Sequence, residues 1–411
     1  MASIIVFNAG SSSLKFKLFQ TPELNVVASG TCSEIGSENS IFSWKIADKK
    51  SEESCTLKSH EDALLCVLKR LKKDKVQGLH EKDIEYVGHR VVHGGTHRKP
   101  VRITDKTLEE LDKLTELAPL HNHRAANVMH ACLKNLPKSE NFAYFDTMFH
   151  STVPEHIYTY PIPREQALKK MIRKWGFHGI SYHYVINKVA DTIGKSLDGM
   201  KVIAMHLGNG SSVCAIRNGQ SFDTTMGLTP VSGLPGGTRS GDIDPSAVFH
   251  LVSRPDEERG DEFIHLSKAE EILNKCSGFK GLCGKSNMAE ILELAKQDTE
   301  EGHDAQLTLD IFINRIQNYI GAYFVALEGV DAILFTGGIG EHAAPVREAI
   351  AAKLKCLGIQ LDEKKNSEVK DHLSEKGVMD ISSSQSSVRI YVVETNEELQ
   401  IAQQLYHHIS S

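Results

Sequence analysis

The sequence predicts an α/β protein of two domains related by an internal duplication, and three observations carry that expectation. At 411 residues the chain is too long for one ordinary hydrophobic core, so two domains are the natural starting point. An apolar run, Ile4–Phe7, leads into the turn Asn8–Ser13 and out into a segment where Leu14, Phe16 and Leu18 alternate with polar residues, which is the pattern of a hairpin. The same unit returns later: apolar Lys201–Leu207, the turn Gly208-Asn209-Gly210-Ser211-Ser212, then Val213–Arg217. Two such hairpins arise easily by chance, so the duplication rests also on the order of strands and helices after each hairpin and on the chemistry of the turns.

After the first hairpin, short strands are expected at Val26–Thr31 and Ile41–Ile46, then a helix near Asp62–Leu71 and a strand at Ile84–Val92. Helices near Lys106–Leu114 and His123–Leu133 precede a strand at Phe142–Phe145. In the second half Asn218-Gly219 is a strong two-residue hairpin turn leading to a third strand. Helices are expected near Pro245–Leu251, Ala269–Cys276 and Asp304–Leu327, then a strand at Ala332–Phe335. Lys69–Lys75 reads as a solvated helix end and Ser382–Ser387 as an exposed loop.

Composition excludes several classes. Hydrophobic residues make up 40% of the chain and charged residues 24%, which is ordinary for a soluble globular protein. A formal net charge of -6 gives no electrostatic reason to expect nucleic acid or an anionic membrane as a partner. The start, MASIIVFNAG, lacks the basic and apolar regions of a secretory signal, and no apolar run reaches bilayer-spanning length. The eight cysteines are scattered without a CxxC pair. They read as reduced thiols of a cytoplasmic protein, not as a disulfide or metal framework.

Residues with chemistry gather at turns and strand ends. Asn8–Lys15 (NAGSSSLK) offers backbone N–H groups and serine hydroxyls, Ser12 among them, to an anion; a tight hairpin using Ser for local hydrogen bonds is the plainer alternative. In Gly88–Gly95 (GHRVVHGG) Arg90 ends an apolar strand before paired glycines, a usual place for site residues in α/β architecture. Arginine is also the side chain shaped to grip a carboxylate or phosphate in two places, although an ion-paired structural Arg fits the pattern as well. Asp146, in Phe145-Asp146-Thr147, stands at another strand end, where a carboxylate can hold Mg2+, accept a proton or cap the next segment. His178, beside Gly179, can donate to developing charge.

His206–Ser212 (HLGNGSS) sets Gly208 and Gly210 around Asn209, a stronger phosphate-loop pattern than the first turn. Leu234–Asp244 (LPGGTRSGDID) surrounds Arg239 with Gly236, Gly237 and Gly241, which reads as a flexible loop presenting a guanidinium to a phosphate. Phe335–Glu341 (FTGGIGE) follows an apolar strand; its glycines let backbone approach a nucleotide, with a helix beginning near Pro345. It does not fit GxGxxG. Gly284-Lys285-Ser286 ends like a P-loop, but Phe279 stands where the first glycine is required, so phosphate binding must use another design. In Val392–Glu398 (VVETNEE) Asn396 reads as a helix cap and Glu397 and Glu398 as helix N-terminal carboxylates, equally able to reach a metal.

Taken together and in order, NAGSSSLK, HRVVHGG, FDTMFH, GFHG, HLGNGSS, GGTRSGDIDP, FTGGIGE and TNEE resemble the acetate kinase family, from Asn8 to Glu398. The resemblance implies an actin-like (ribonuclease H-like) fold: two duplicated domains, each a mixed sheet flanked by helices, around a central cleft. Residues 1–150 plus 396–411 would form the acyl- and metal-side domain, and 151–395 the nucleotide-binding one. It implies Mg2+ (or Mn2+) as cofactor, held at Asn8 and Glu397, with ATP or ADP and acetate or acetyl phosphate as small-molecule substrates, in a homodimer. Arg90, Asp146, His178 and Arg239 would be catalytic. Arg90 would also hold the acyl substrate, in an apolar pocket of Val92, Leu120, Phe177 and Pro230. Ser12, Lys15, His206, Gly208, Asn209, Gly210, Asn287, Gly337, Gly338, Ile339, Gly340 and Glu341 would line the nucleotide and its phosphates.

Two positions depart from the family pattern. Tyr182 stands where a second His is usual, and Asn287-Met288-Ala289 where the family has Asp-Phe-Arg, losing both charges. The second bears on nucleotide base preference, while the intact Gly337–Gly340 leaves room for a purine.

The reaction so implied is direct in-line transfer of the γ-phosphoryl group of ATP to a carboxylate oxygen. A carboxylate is already ionised at neutral pH, so Asp146 is expected to orient Mg2+ or substrate, with no proton to remove. The work is positioning and charge neutralisation by Mg2+, Arg90, Arg239 and His178, with domain closure excluding water. A propionate, butyrate or pyrophosphate-dependent acyl kinase is the near alternative. One methylene in an apolar pocket is worth only ~1–3 kcal/mol, and pyrophosphate use would accompany a filled adenosine pocket, against which Gly337-Gly338 speaks. A non-catalytic actin-like ATPase module is the distant alternative; it would need the phosphate loops but not Arg90, Arg239 or the acyl pocket.

Overall fold

The computed structural model describes residues 2–46, 49–73, 84–113, 119–252 and 268–410. The first sheet comprises β1 (Ser3–Ala9), β2 (Leu14–Gln20), β3 (Asn25–Ser33), β4 (Ile41–Ile46), β5 (Lys49–Ser54), β6 (Tyr86–Val91), β7 (Val101–Arg102) and β8 (Glu140–Phe145), in the order β5-β4-β3-β2-β1-β6-β8-β7. The second comprises β9 (Lys201–His206), β10 (Ser212–Arg217), β11 (Gln220–Thr224), β12 (Ala332–Thr336), β13 (Val378–Asp380) and β14 (Arg389–Val393), in the order β11-β10-β9-β12-β14-β13. Contacts divide the chain into two compact units. One is Met1–Ser151 with His178–Tyr184 and Asn396–Ser411; the other is Thr152–Phe177 with Val185–Thr395.

The duplication is visible in the pairing. β1 is antiparallel to β2 and β2 to β3, while β1 is parallel to β6 and β6 to β8. β9, β10, β11, β12 and β14 repeat that arrangement strand for strand. Parallel neighbours need a long crossover connection, usually helical. The helices Asp105–Lys113 and Pro119–Asn135 supply it between β6 and β8, and Glu300–Ala326 closes the long connection before β12. Both sheets are therefore mixed and flanked by helices, the α/β class expected.

Strand β1 reads as a continuous apolar run because both of its faces are covered. Ile4 and Val6 pack with Ile401, Ala402 and Leu405 of the helix Glu397–Ser410. Ile5 and Phe7 face the other way, toward Ala63, Leu64, Val67 and Leu68 of the helix His60–Lys73. In the second unit Ile203, Met205, Ile333 and Phe335 share one core with Phe312, Ile316 and Ile320, which recur every four residues along the helix Glu300–Ala326. Thr299 starts that helix by accepting a hydrogen bond from Gly302 N, and Glu300 and Glu301 favour its N-terminus. The Asn218-Gly219 turn has both residues at positive φ, 56° and 72°, the conformation a two-residue hairpin of this handedness requires.

Several elements depart from the sequence reading. β5, all exposed, and the helices Gly179–Ile193 and Glu363–Lys376 are additional to it. The segment at Ala269–Cys276 ends in a π-turn, Ile272–Cys276. The glycine-rich FTGGIGE segment is itself helical: Gly337–His342 turns immediately after β12, ahead of the helix Ala344–Ala351. Ser382, expected in an exposed loop, is buried, and its hydroxyl accepts from Ile390 N at 2.7 Å. The end of the Lys69–Lys75 run and Leu114 lie outside the described residues.

Behind Arg90, on β6, His89 is buried; it hydrogen-bonds Asn141 Oδ1 at 2.9 Å and stacks on Phe7. Burial pushes the His89 ring down from 6.5 to about 4, against the pull of the Asn141 hydrogen bond. An unfolded chain takes up that proton near pH 6.5 and the folded one resists until about 4. The unfolded state thus binds more protons across this window, and stability falls as pH falls through it. The loss from this group is on the order of 3 kcal/mol once pH is below the lower value. Urea unfolding at pH 7, 5.5 and 4.5 is expected to show the decline, with a shallower one in His89→Gln. Equal slopes in the two proteins would mean that His89 titrates in the fold as it does in the open chain.

Candidate active site

In the first unit the parallel register sets Asn8, at the end of β1, beside Arg90 on β6. The next strand ends one residue before Asp146, whose N–H donates to Val91 O at 3.0 Å and so extends the ladder. Arg90 then grips Asp146 with two nitrogens, Nε to Oδ1 at 3.1 Å and Nη2 to Oδ2 at 2.7 Å. Its third nitrogen, Nη1, donates to Asn8 Oδ1 at 3.1 Å and lies 3.3 Å from Glu397 Oε2. Asn8 Nδ2 donates in turn to Glu397 Oε2 and Glu398 Oε1, both at 3.1 Å. The structure thus brings Asn8, Arg90, Asp146 and Glu397 into one hydrogen-bonded cluster. In it, the Arg90 fork expected to hold a substrate is engaged with Asp146.

The cluster is rich in negative charge. Burial raises Glu397 to about 7; Arg90 opposes the rise, while Asp146 and Glu398 add to it. For Glu398 burial also acts upward, but Lys17, the Asn8 hydrogen bond and Lys15 outweigh it and hold the carboxyl below its usual range. Two carboxylates and an amide oxygen are hard donors of the kind Mg2+ takes, leaving its other positions to water and phosphate. Among the described residues no three His, Cys, Asp or Glu side chains form a metal-holding group by themselves.

His178 sits at positive φ, 59°, directly before a tight contact. Gly179 N donates to Asp146 O at 3.0 Å, and a Cβ on Gly179 would stand 2.1 Å from that oxygen, so only glycine fits. This seats His178 beside Asp146. Lys15 is exposed on β2, directly across from Asn8. Ser12 is exposed as well, its carbonyl accepting from Ile35 N at 2.9 Å, and Gly10 N to Ser13 O closes the turn at 2.8 Å. Val92 is partly buried in this unit, while Phe177 and Pro230 are buried in the other. Leu120 belongs to the helix Pro119–Asn135, and its side chain lies outside the described residues.

In the second unit two glycine-bearing segments, Thr336–Gly340 and Gly236–Arg239, converge on Leu207–Gly210. Leu207 N donates to Thr336 O at 2.8 Å, and Leu207 O accepts from Ile339 N and Gly340 N at 2.8 and 3.2 Å. Helix Gly337–His342 is thereby held against the end of β9. Asn209 O accepts from Gly237 N at 2.9 Å, and a Cβ on Gly236 would stand 2.5 Å from the same oxygen. The glycines around Arg239 therefore serve close approach of backbone to backbone, where the sequence suggested flexibility. Arg239 Nη1 donates to Pro230 O at 3.4 Å and lies 2.8 Å from where a Cβ on Gly210 would stand. His206, partly buried at the end of β9, pairs in register with Thr336. Gly208 N donates to Ser211 Oγ at 3.2 Å, and Gly338 is exposed.

Two of the expected nucleotide residues have structural partners. Glu341 is buried and accepts from Gly337 N at 2.9 Å, Thr395 N at 3.1 Å and Thr336 Oγ1 at 3.3 Å; burial raises its carboxyl against the pull of those backbone donors. It ties the end of β12 to the segment after β14. Asn287 is exposed and caps the helix Met288–Leu294 by accepting from Ala289 N at 2.9 Å.

Other residues escape the sequence reading. Lys17 pairs with Glu398 at 3.3 Å and donates to Asn396 Oδ1 at 2.7 Å; its signal is the period of two that puts it on the same strand face as Lys15. Asn396 does cap the last helix, accepting from Leu399 N at 3.1 Å. Arg347 is buried and donates to the carbonyls of Gly340 and Glu341 at 2.9 Å and to Asn366 Oδ1 at 2.7 Å, fixing the end of helix Gly337–His342. Nothing in the sequence distinguishes Arg347 from a surface arginine.

Residues 3–403 match the Acetokinase family. The chain is 40% identical over 410 residues to a probable acetate kinase of Emericella nidulans, covering 97% of this chain and 96% of that one. It is 41% identical over 401 residues to an acetate kinase of Thermoanaerobacterium thermosaccharolyticum, covering 97% of each. Among solved structures it is similar to the acetate kinase of Porphyromonas gingivalis, with a TM-score of 0.85 and 34% identity over 100% of both chains. A propionate kinase from Francisella tularensis gives a TM-score of 0.87 at 36% identity, covering 98% of this chain and 99% of that one. Matched along nearly its whole length in sequence and in both sheets, the chain belongs to the acetokinase family.

Proposed function

We propose that the protein is an acetate kinase, transferring the γ-phosphoryl group of ATP reversibly to acetate to give acetyl phosphate and ADP. The observation that carries the reading is the Asn8–Arg90–Asp146–Glu397 cluster, with Arg90 in contact with the other three side chains. Such a cluster suits a reaction whose acceptor is already ionised. No group in it needs to take a proton, and its donors and acceptors are set to position charged oxygens.

In this reading Asn8 and Glu397 hold Mg2+, and the fit rests on their hard oxygen donors, with Glu398 and Asp146 close by. When bound, the ion would neutralise phosphate charge and orient the transferring group. Residues 1–150 plus 396–411 serve the acyl substrate and the metal, and residues 151–395 the nucleotide. His206–Gly210 and Gly337–Gly340 line the phosphates and adenosine, while Arg239 and His178 stabilise the phosphoryl group in transit. Val92, Leu120, Phe177 and Pro230 take the methyl group. The eight cysteines are all free thiols, which supports a reducing, cytoplasmic setting. A homodimer is the assembly in this reading, supported by the family resemblance.

The direct test is acetyl phosphate production from acetate, ATP and Mg2+, with propionate replacing acetate and pyrophosphate replacing ATP in parallel. Product with ATP and acetate at the highest kcat/KM is expected. Product with pyrophosphate alone would overturn the nucleotide assignment, and a higher kcat/KM for propionate would move the substrate one methylene up.

Arg90→Lys tests the cluster itself. Lysine keeps the charge but cannot form the two-point grip on Asp146 while also reaching Asn8. A fall in kcat on the order of 10² or more is expected, with the protein still folded by circular dichroism. Turnover within a factor of two of the parent would take Arg90 out of the catalytic machinery.

A further inference from the structure

The loop that carries Arg239 is closed at its base by one side chain. Gly233 N donates to Asp242 Oδ1 at 2.7 Å, and Asp242 N donates back to Gly233 O at 3.0 Å. The two ends of the segment 233–242 are thus joined as a hairpin is joined. Asp242 Oδ2 accepts from the Tyr319 hydroxyl and lies 3.8 Å from Arg315 Nη1. The same Arg315 nitrogen donates to Gly233 O at 3.2 Å and to Asp242 O at 3.1 Å. Arg315 and Tyr319 stand four residues apart on the helix Glu300–Ala326, hence on one face of it. That helix buries Phe312, Ile316 and Ile320 in the core of the unit, so the loop's base is tied to a well-packed element.

The rest of the loop is laced to another segment by backbone hydrogen bonds. Ser240 N donates to Leu273 O, Ser277 N to Thr238 O, Phe279 N to Gly236 O and Lys280 N to Gly237 O, at 2.9 to 3.1 Å. Thr238 Oγ1 adds a bond to Asn274 O at 2.7 Å. Gly278 enters this contact at a φ of 60°, with its Cβ position 2.1 Å from Gly236 O and 2.4 Å from Arg239 O. The backbone around Arg239 is therefore fixed on both sides, and what it fixes is the origin of a long cationic side chain. A displacement of ~1 Å at such a group can cost on the order of 10² in rate, so the residue that sets the loop's base has kinetic weight without touching substrate.

We propose that Asp242 is a positioning residue for phosphoryl transfer, holding the Arg239 loop closed across Gly233 and anchoring it to Tyr319 and Arg315. This rests on the reading that Arg239 stabilises the phosphoryl group. Asp242 makes its contribution through Arg239, so removing it matters only while that guanidinium is present.

A double-mutant cycle tests this in the intact protein, with kcat and the KM values for ATP and acetate read from acetyl phosphate formation. Asp242→Ala is expected to lower kcat by about 10–100-fold with each KM within about two-fold, because the placement of a transition-state group is lost and ground-state binding is not. Asp242→Asn, which keeps an acceptor for Gly233 N, is expected to recover most of that loss. In an Arg239→Ala background, itself slowed by on the order of 10²–10⁴, Asp242→Ala should cost less than about two-fold more. Tyr319→Phe, which removes one hydrogen bond from the same carboxylate, guards against misfolding of Asp242→Ala; its smaller kcat loss should likewise vanish without Arg239. If the Asp242→Ala loss is as large without Arg239 as with it, the residue is merely structural and the proposal is overturned. If Arg239→Ala turns over normally, the assignment of Arg239 fails first and takes the proposal with it.

Discussion

In each sheet the central strand pairs in parallel with its neighbour, Ile4–Asn8 with Tyr86–Arg90 and Val202–His206 with Ala332–Thr336, and this pairing carries the carboxyl ends of both strands to the same edge. Backbone emerging there has finished its ladder, so its side chains and N–H groups are available for other partners. Asn8, Arg90 and Asp146 occupy that edge in the first sheet; His206, Leu207 and the Gly337 helix occupy it in the second. The duplication thus produced two equivalent edges, which have been furnished differently. One is built from charged side chains and the other largely from glycine and backbone.

That difference reflects what each edge can offer. Asn8, Glu397 and Glu398 meet because the last helix returns to pack on β1 and β6, with Ile401 and Leu405 as its apolar anchor. Its N-terminus then arrives beside Asn8, and two carboxylates at a helix N-terminus are favoured there in any case. Bringing a third, Asp146, into the same buried space is tolerable only because Arg90, Lys17 and Lys15 stand against the three. Three cations face three acids, and burial still raises Glu397 to about 7 against the pull of Arg90. On the other sheet the approach of two chain segments to Leu207–Gly210 leaves no room for a side chain at Gly236, and the contacts there are largely main chain.

The hairpins, the central strands and the long helix Glu300–Ala326 are legible in sequence because their burial is periodic. The elements that escape lack that signal. β5 is exposed at every position, and the helix Glu363–Lys376 buries only Asn366, Val369 and Leu373 among fourteen residues. The helix Gly179–Ile193 is the exception: Tyr182, Val185, Ile186, Val189 and Ala190 are buried at helical spacing, a signal that the sequence reading passes over. At the sites, Asn8, Arg90, Asp146 and Glu397 are visible as chemistry-bearing residues at strand ends. Lys17, which pairs with Glu398, and Arg347, which holds the Gly340 and Glu341 carbonyls, are not, because their roles depend on which segments the fold brings near them. The glycines around Arg239 read as freedom, and a sequence cannot separate a glycine that must bend from one that must let another chain pass.

The Arg239 loop also shows why that distinction matters for function. A guanidinium at the tip of a mobile loop would require that loop to be ordered at each turnover, and its charge would act on the reactant and the transition state alike. The Asp242 closure and the bonds to Leu273–Lys280 complete that ordering in folding, before any substrate arrives. From that backbone the Arg239 side chain reaches Pro230 O, with Nη1 at 3.4 Å. In the reading proposed for Arg239, a backbone ordered in advance leaves only the guanidinium to be placed against a phosphoryl oxygen. On that reading the arginine acts without moving its main chain, and discrimination between ground and transition state falls to where its guanidinium can reach.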